Sequence, residues 1–384
     1  MDNLQTSDRR VYELDGLRGL AGLMVVFSHY FGEVTHGVRG TNFGWVGVDI
    51  FFVLSGFLIG KLILEKKNCT NFFTVFYVRR FWRIVPSYMI TLVVVSALLL
   101  IVPATWADAD HPLPLWTYFT FLQVFSMATT GSVGVHWLSP TWTLAVEEHF
   151  YLVVPALIVF TPRRYLANIL LAGVPMAIGL RVAVFHYEIL PSMWALVLLP
   201  FRADLLICGL LAALALQSDT IKWDRYLSWI RLAPLAALQA MFFARLMSDA
   251  LSQICGPLFM GIGIASFILV LVLGAPEAER FKSRLLQQIG DNTYSLYLVH
   301  LPVLGLMHGL ILGTRPDLET GAQWAVTIAS LPVTAIVAYL MTRYVEMPLT
   351  AYGRNWKWSS ELQGDLLVAP TAGRGNRSAH ARTS

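Results

Sequence analysis

Long apolar runs broken by short polar connections dominate the chain, and the length of those runs carries the first inference. A hydrocarbon slab about 30 Å thick takes roughly 20 helical residues to cross. Runs of that order predict spans at about 15–32, 44–64, 81–103, 146–160, 165–186, 194–216, 229–247, 254–274, 292–313 and 321–345. The stretch 113–125 is apolar too, but Pro112 and Pro114 interrupt its start, so a half-buried interfacial helix is expected there. The fold class that follows is an all-α integral membrane protein with about ten transmembrane helices.

Composition agrees, because 56% of the 384 residues are hydrophobic and only 14% are charged, more apolar surface than a water-soluble core absorbs. Basic residues set the expected orientation, since Lys and Arg stay on the cytoplasmic side of short loops. All six lysines (61, 66, 67, 222, 282 and 357) fall on alternate connections or in the C-terminal tail, with Arg79, Arg80, Arg83, Arg163, Arg164, Arg225, Arg280 and Arg284. The other connections hold little beyond Arg39, Arg245 and Arg315. Both termini are therefore expected in the cytoplasm. This asymmetry also accounts for the net charge of +4, so no nucleic-acid partner is expected.

The first apolar run carries Asp15 and Arg18 and lacks a small-residue cleavage site, so it is expected to stay in the protein. Cys69, Cys208 and Cys255 show neither paired nor metal-ligand spacing, and no metal site is expected. The expected organisation is a cytoplasmic N-terminal tail at 1–10, one membrane domain at 11–350, and a Gly-, Ser- and Arg-rich disordered tail at 351–384.

Ionisable residues inside spans cost several kcal/mol unless paired or wetted, so they are functional candidates by default. On the first helix Arg18 and His29 are eleven residues apart, close to three turns, which sets them on one face about 16 Å from each other. Counting along the other helices puts Asp49, Glu147, Glu148 and His300 near the depth of His29. Arg202 and Asp204 also enter from the outer side, where a structural pairing with each other is the expected arrangement. Ser55 and Gly56 are expected to permit close helix packing. At the inner side, residues 79–83 read RRFWR, and Arg80 and Arg83 are one turn apart. Such a cluster suits phosphate through forked hydrogen bonds.

Seven segments then resemble one family. They are ELDGLRGLAGLMVVFSH (13–29), GWVGVDIFFVLSGFLIG (44–60), FYVRRFWRIVPSY (76–88), SPTWTLAVEEHFYLVVP (139–155), FRADLLICGLLAA (201–213), NTYSLYLVHLPV (292–303) and YVEMP (344–348). Their order over residues 11–350 is similar to that of the bacterial membrane acyltransferase 3 family, whose members modify surface polysaccharides, lipopolysaccharide, peptidoglycan, Nod factors and macrolides. The resemblance implies that Arg18 and His29 act in acyl transfer, that Arg79, Arg80 and Arg83 hold the acyl donor, and that Trp142 and Glu147 occupy the family's Trp and acidic positions, with Thr143 where Ser is common.

The expected reaction moves an acyl group, first of all acetyl, from cytoplasmic acyl-CoA to a hydroxyl of a surface glycan or lipid-linked sugar, across a bacterial inner (plasma) membrane. Acyl-CoA (acetyl-CoA) enters as a co-substrate, and no permanently bound cofactor is expected. His29, oriented by Asp49 or Glu147, would deprotonate the acceptor hydroxyl or carry the acyl group. The connection from Pro103 to Pro140 lacks Lys and Arg and carries Asp110, Trp116 and Trp137 among other aromatic and acidic residues, a composition suited to a glycan platform. Arg202, Asp204 and His300 complete the candidate substrate contacts. Two competing classes are a proton-coupled transporter and a non-catalytic partner in polysaccharide export. The first is disfavoured by the absence of inverted repeats.

Overall fold

A computed structural model describes residues 11–107, 111–218 and 220–359. The long apolar runs form α1 (Tyr12–Phe31), α2 (Gly44–Lys66), α3 (Phe72–Leu99), α6 (Thr141–Phe160), α7 (Arg163–Phe185), α9 (Leu199–Leu216), α10 (Trp223–Met247), α11 (Asp249–Val272), α12 (Arg284–Leu312) and α13 (Gly321–Met341). Between α3 and α6 lie two short helices, α4 (Leu115–Phe119) and α5 (Gln123–Thr130), in place of the single interfacial helix expected from 113 to 125. The short α8 (Ser192–Val197) precedes α9, and α14 (Met347–Arg354) follows α13.

Among the described residues nine helical segments are long and apolar enough to cross a bilayer. α1 stands outside that set because Asp15, Arg18 and His29 dilute its apolar run, yet it lies in the same bundle, packed on α2 and α12. The ten expected spans thus correspond to ten long helices, and the chain is an all-helical integral membrane protein.

Lipid chains give helices no hydrophobic reason to associate, so close backbone approach has to supply the contact. Two glycines do this between α2 and α9: a Cβ on Gly56 would meet the Leu206 carbonyl oxygen at 2.0 Å, and one on Gly209 would meet that of Val53 at 2.0 Å. α1 and α12 approach through Gly19 and Gly290, where a Cβ would meet the backbone oxygens of Leu286 and Asp15. α10 packs chiefly on α11 and presents Trp229, Leu235, Phe242 and Phe243 outward, as a lipid-facing helix should.

The lysine-bearing end is closed by a strap. Residues Thr342–Glu346 form a π turn that links α13 to α14, and the chain then crosses the start of α3. There Trp358 is buried and stacks on Phe72. Asn71 donates to the Lys357 carbonyl and accepts from the Ser359 N–H, while the Thr70 N–H donates to Ser359 Oγ. The segment through Ser359, expected to be part of a disordered tail, is therefore ordered on α3.

Candidate active site

A file of polar groups runs through the bundle interior, along α1, α2, α3, α6 and α12. At the end opposite the strap, His29 and His300 meet. Nδ1 of His29 lies 2.9 Å from Nε2 of His300, with ring centroids 4.9 Å apart. His300 is wholly buried, and its Nδ1 lies 2.8 Å from the Tyr297 carbonyl oxygen. His29 Nε2 faces Glu33 Oε2 at 3.4 Å, and Ser28 Oγ donates to the other carboxylate oxygen of Glu33 at 2.9 Å.

One layer deeper, the Tyr297 hydroxyl donates to the Pro140 carbonyl at 3.0 Å and lies 2.8 Å from Thr143 Oγ1. Below that layer, Ser55 Oγ donates to Glu147 Oε1 at 2.6 Å and the Tyr151 hydroxyl donates to Oε2 at 3.0 Å. Arg80 lies over the Tyr151 ring at 5.4 Å. The charges of both Arg80 and Arg18 reach Glu147. Glu148 is the neighbour of that group, with one carboxylate oxygen buried and without a hydrogen-bond partner.

At the strap end Arg18 pairs with Asp15 at 3.1 Å, and Arg83 acts on Arg18 and on Glu346. Glu346 accepts a hydrogen bond from Ser295 Oγ at 2.8 Å. The π turn places it there, and such turns recur at functional positions because they rotate one side chain out of helical register. From Arg18 to His29 the file spans about 16 Å.

Several expected arrangements are corrected. Asp49 and Glu147 do not orient His29: Asp49 accepts from Arg202 Nη2 at 2.7 Å, and Glu147 is held by Ser55 and Tyr151 lower in the bundle. Arg202 and Asp204 do not pair with each other, because Asp204 is bound in a fork by Arg181, at 3.1 and 2.6 Å. On α9 they are two positions apart, which turns them to different neighbouring helices. Ser55 is a hydrogen-bond donor to Glu147 as well as a neighbour of a packing glycine.

Trp137 is not an exposed platform residue, since it is 2% exposed and its indole lies against Gly305 of α12. Trp142 meets Phe52 edge to face at 5.9 Å, and the Arg202 guanidinium lies over the same Phe52 ring. Asp110 lies outside the described residues. Arg79 turns away from Arg80 and Arg83: its Nε and Nη2 donate to the Trp356 carbonyl at 2.9 and 2.7 Å, and its guanidinium lies over Trp358.

Sequence reasoning missed Arg181, Glu33, Tyr151 and Glu346. Arg181 was visible as a lone arginine inside a predicted span, and Glu346 lay within a quoted motif. Tyr151 likewise lay within a quoted motif, whereas Glu33 gave no such signal, because it matters only through its neighbour His29. Near Glu33's end of the bundle, His36, Asp317 and Glu319 bring their ligand atoms within 4.8 Å of one another at the surface. Asp317 there accepts from the His36 N–H, the Leu318 N–H and the His36 ring.

Fold and site together define a polytopic helical membrane protein with a file of polar groups enclosed between helices. A family model described as an acyltransferase domain matches residues 11–343, and the chain belongs to this acyltransferase 3 family. It is similar to the peptidoglycan O-acetyltransferase OatA of Listeria monocytogenes, 26% identical over 90% of this chain and 57% of that protein. It is also similar to the O-acetyltransferase OatA of Staphylococcus aureus, 25% identical over 90% of this chain and 58% of that protein. The chain thus spans less than two thirds of the length of these curated relatives. No solved structure matches it.

Proposed function

We propose that the chain is a membrane-embedded O-acyltransferase that moves an acyl group, acetyl in the first instance, from acyl-CoA at the cytoplasmic face to a hydroxyl of a surface glycan or lipid-linked sugar. The observation that carries this reading is the interior file, with arginines at the lysine-bearing end and a histidine pair about 16 Å away at the other. Family membership supports the chemistry, and the peptidoglycan named for the Listeria relative supports a glycan acceptor.

In this reading Arg80 and Arg83 receive the phosphates of the donor by charge-assisted hydrogen bonds. The flexible pantetheine arm follows the file past Glu147 and Tyr297. At its end His29 takes the proton of the acceptor hydroxyl as that oxygen attacks the thioester carbonyl. The tetrahedral intermediate expels coenzyme A thiolate, which recovers a proton from His29 and leaves as the thiol. Enclosure between helices excludes the water that would otherwise hydrolyse the thioester.

The test is release of coenzyme A thiol by the purified chain in lipid nanodiscs, with acetyl-CoA and either an undecaprenyl-linked sugar or soluble muropeptide as acceptor. Acceptor-dependent thiol release with transfer of labelled acetate supports the reading. Proton flux across liposomes without thiol release would replace it with the transporter class.

A further inference from the structure

We infer that His300 is the positioning residue that selects the tautomer of His29, leaving Nε2 of His29 as the base and directing it to the mouth of the bundle beside Glu33. The inference rests on the transferase reading for the identity of the reaction, whereas the tautomer itself follows from hydrogen-bond geometry.

Nδ1 of His300 sits 2.8 Å from the Tyr297 carbonyl oxygen, which can only accept, so that nitrogen carries the hydrogen. A neutral imidazole holds one ring hydrogen, and the Nε2 of His300 therefore presents a lone pair. Across 2.9 Å, Nδ1 of His29 has to donate to it. The lone pair of His29 is then left on Nε2. The reverse pattern needs a doubly protonated His300, a cation at 0% exposure whose hydrogen-bond partners include no carboxylate. Such a group would bear the full penalty of a buried unpaired charge.

The rest of the surroundings hold His300 still. The Tyr30 hydroxyl donates to its carbonyl at 2.9 Å and lies 2.6 Å from Thr334 Oγ1, and the Tyr297 ring lies 5.7 Å from the imidazole. On the other side of the pair, Nε2 of His29 faces Glu33, whose side chain is 42% exposed while that of His29 is 15% exposed. When His29 takes the acceptor's proton at Nε2, that N–H gains Glu33 as a partner while Nδ1–H stays on His300. The same nitrogen returns the proton to the departing thiolate. His300 keeps one protonation state throughout and acts only by fixing which nitrogen is basic.

This separates positioning from proton relay. A Gln at 300 can donate its amide N–H to the Tyr297 carbonyl and accept from His29 with its amide oxygen, but it cannot titrate. A Leu can do neither. The full chain in nanodiscs is compared as wild type, His300→Gln and His300→Leu, with kcat and KM for acetyl-CoA and with magnetic resonance of ¹⁵N-histidine to read the His29 nitrogens directly. The expected result is a protonated Nδ1 and unprotonated Nε2 on His29 in the wild type and in His300→Gln, which keeps most of its kcat. His300→Leu should lose about 10²- to 10⁴-fold in kcat, as a wrongly held tautomer does, with KM for acetyl-CoA unchanged. Equal loss in both variants, no loss in His300→Leu, or an unprotonated Nδ1 in the wild type overturns the inference. If His300→Leu does not accumulate in the membrane, the resonance of wild type and His300→Gln decides. A correct tautomer in a chain that transfers nothing would overturn the transferase reading and leave the positioning intact.

Discussion

Arg202 Nη2 lies 2.7 Å from Asp49 Oδ1 and joins α9 to α2 across 153 positions of the chain. Both side chains are largely buried, at 12% and 2% exposure, so removing one partner strands the other charge. Asp49→Ala should lower stability by about 3 to 5 kcal/mol, whereas the double replacement Asp49→Leu with Arg202→Met should recover most of the loss. Thermal unfolding in detergent reads the difference, and a double variant no better than the single would contradict the pairing.

Chemistry and donor binding should separate along the interior file. His29→Ala is expected to lower kcat by about 10²- to 10⁴-fold without loss of folded protein. Arg80→Ala and Arg83→Ala should instead raise KM for acetyl-CoA, and do so less for a truncated thioester without phosphates. Arg79→Ala should leave KM nearly unchanged and free the strap, seen as faster proteolysis between Tyr352 and Ser359. A KM effect at Arg79 equal to that at Arg80 would restore Arg79 to the donor site.

Trp137 is packed where its replacement opens a void against Gly305. Trp137→Ala should therefore cost about 3 to 5 kcal/mol of stability, as for other buried aromatic truncations. Thermal unfolding tests this; a variant as stable as wild type but weak in acceptor turnover would favour the glycan platform instead.

The surface contact of His36 with Asp317 predicts a pH dependence. The hydrogen bond to Asp317, and then its charge, hold His36 above its ordinary value of 6.5. Burial pushes Asp317 up, but hydrogen bonds from the His36 ring, the His36 N–H and the Leu318 N–H outweigh it and hold the carboxyl below its ordinary 3.8. The raised histidine contributes stability that is complete below 6.5 and lost as pH rises through its folded value. The depressed aspartate contributes stability present above 3.8 and lost as pH falls through its own folded value. The tie between the two loops is therefore strongest from about 3.8 to 6.5. Hydrogen exchange at residues 34–42, corrected for intrinsic rates, should quicken above that range in the wild type and stay flat in His36→Gln.

Orientation is tested by reporters. One fused after Ser126 should face outward and one after Lys282 inward, and the opposite pattern would invert the donor and acceptor faces.

Much of this molecule was legible before any coordinates. The apolar runs set the long helices because a bilayer demands length, and α1 was recoverable despite its charges because Arg18 and His29 keep helical spacing. Glu33, Tyr151 and Glu346 were not named, whereas Arg18, His29, Glu147, Glu148 and His300 could be named one by one, since each is an ionisable residue within a span. Their partners could not. Residue counting gives depth but leaves each helix's rotation free, and rotation decides that Asp49 meets Arg202 while Glu147 meets Ser55. Trp137 was misplaced for the same reason: aromatic composition marks an interface without saying which ring turns inward. The strap was hidden because a polar tail carries no periodicity, and its order comes from contacts with Asn71, just before α3, and Arg79 on that helix.

The two arginine–aspartate pairs that tie α9 to its neighbours also bear on how the chain is made. Asp49 leaves the ribosome 153 residues before Arg202, whereas Arg181 precedes Asp204 by only 23. During synthesis α2 therefore waits with a carboxylate that no helix yet neutralises, while α9 arrives with Arg181 of α7 already made for its Asp204. Such a carboxylate is costly in hydrocarbon, so α2 should depend on the insertion machinery or on protonation until α9 arrives. Chains arrested before α9 should be extracted and degraded far faster than chains arrested just after it.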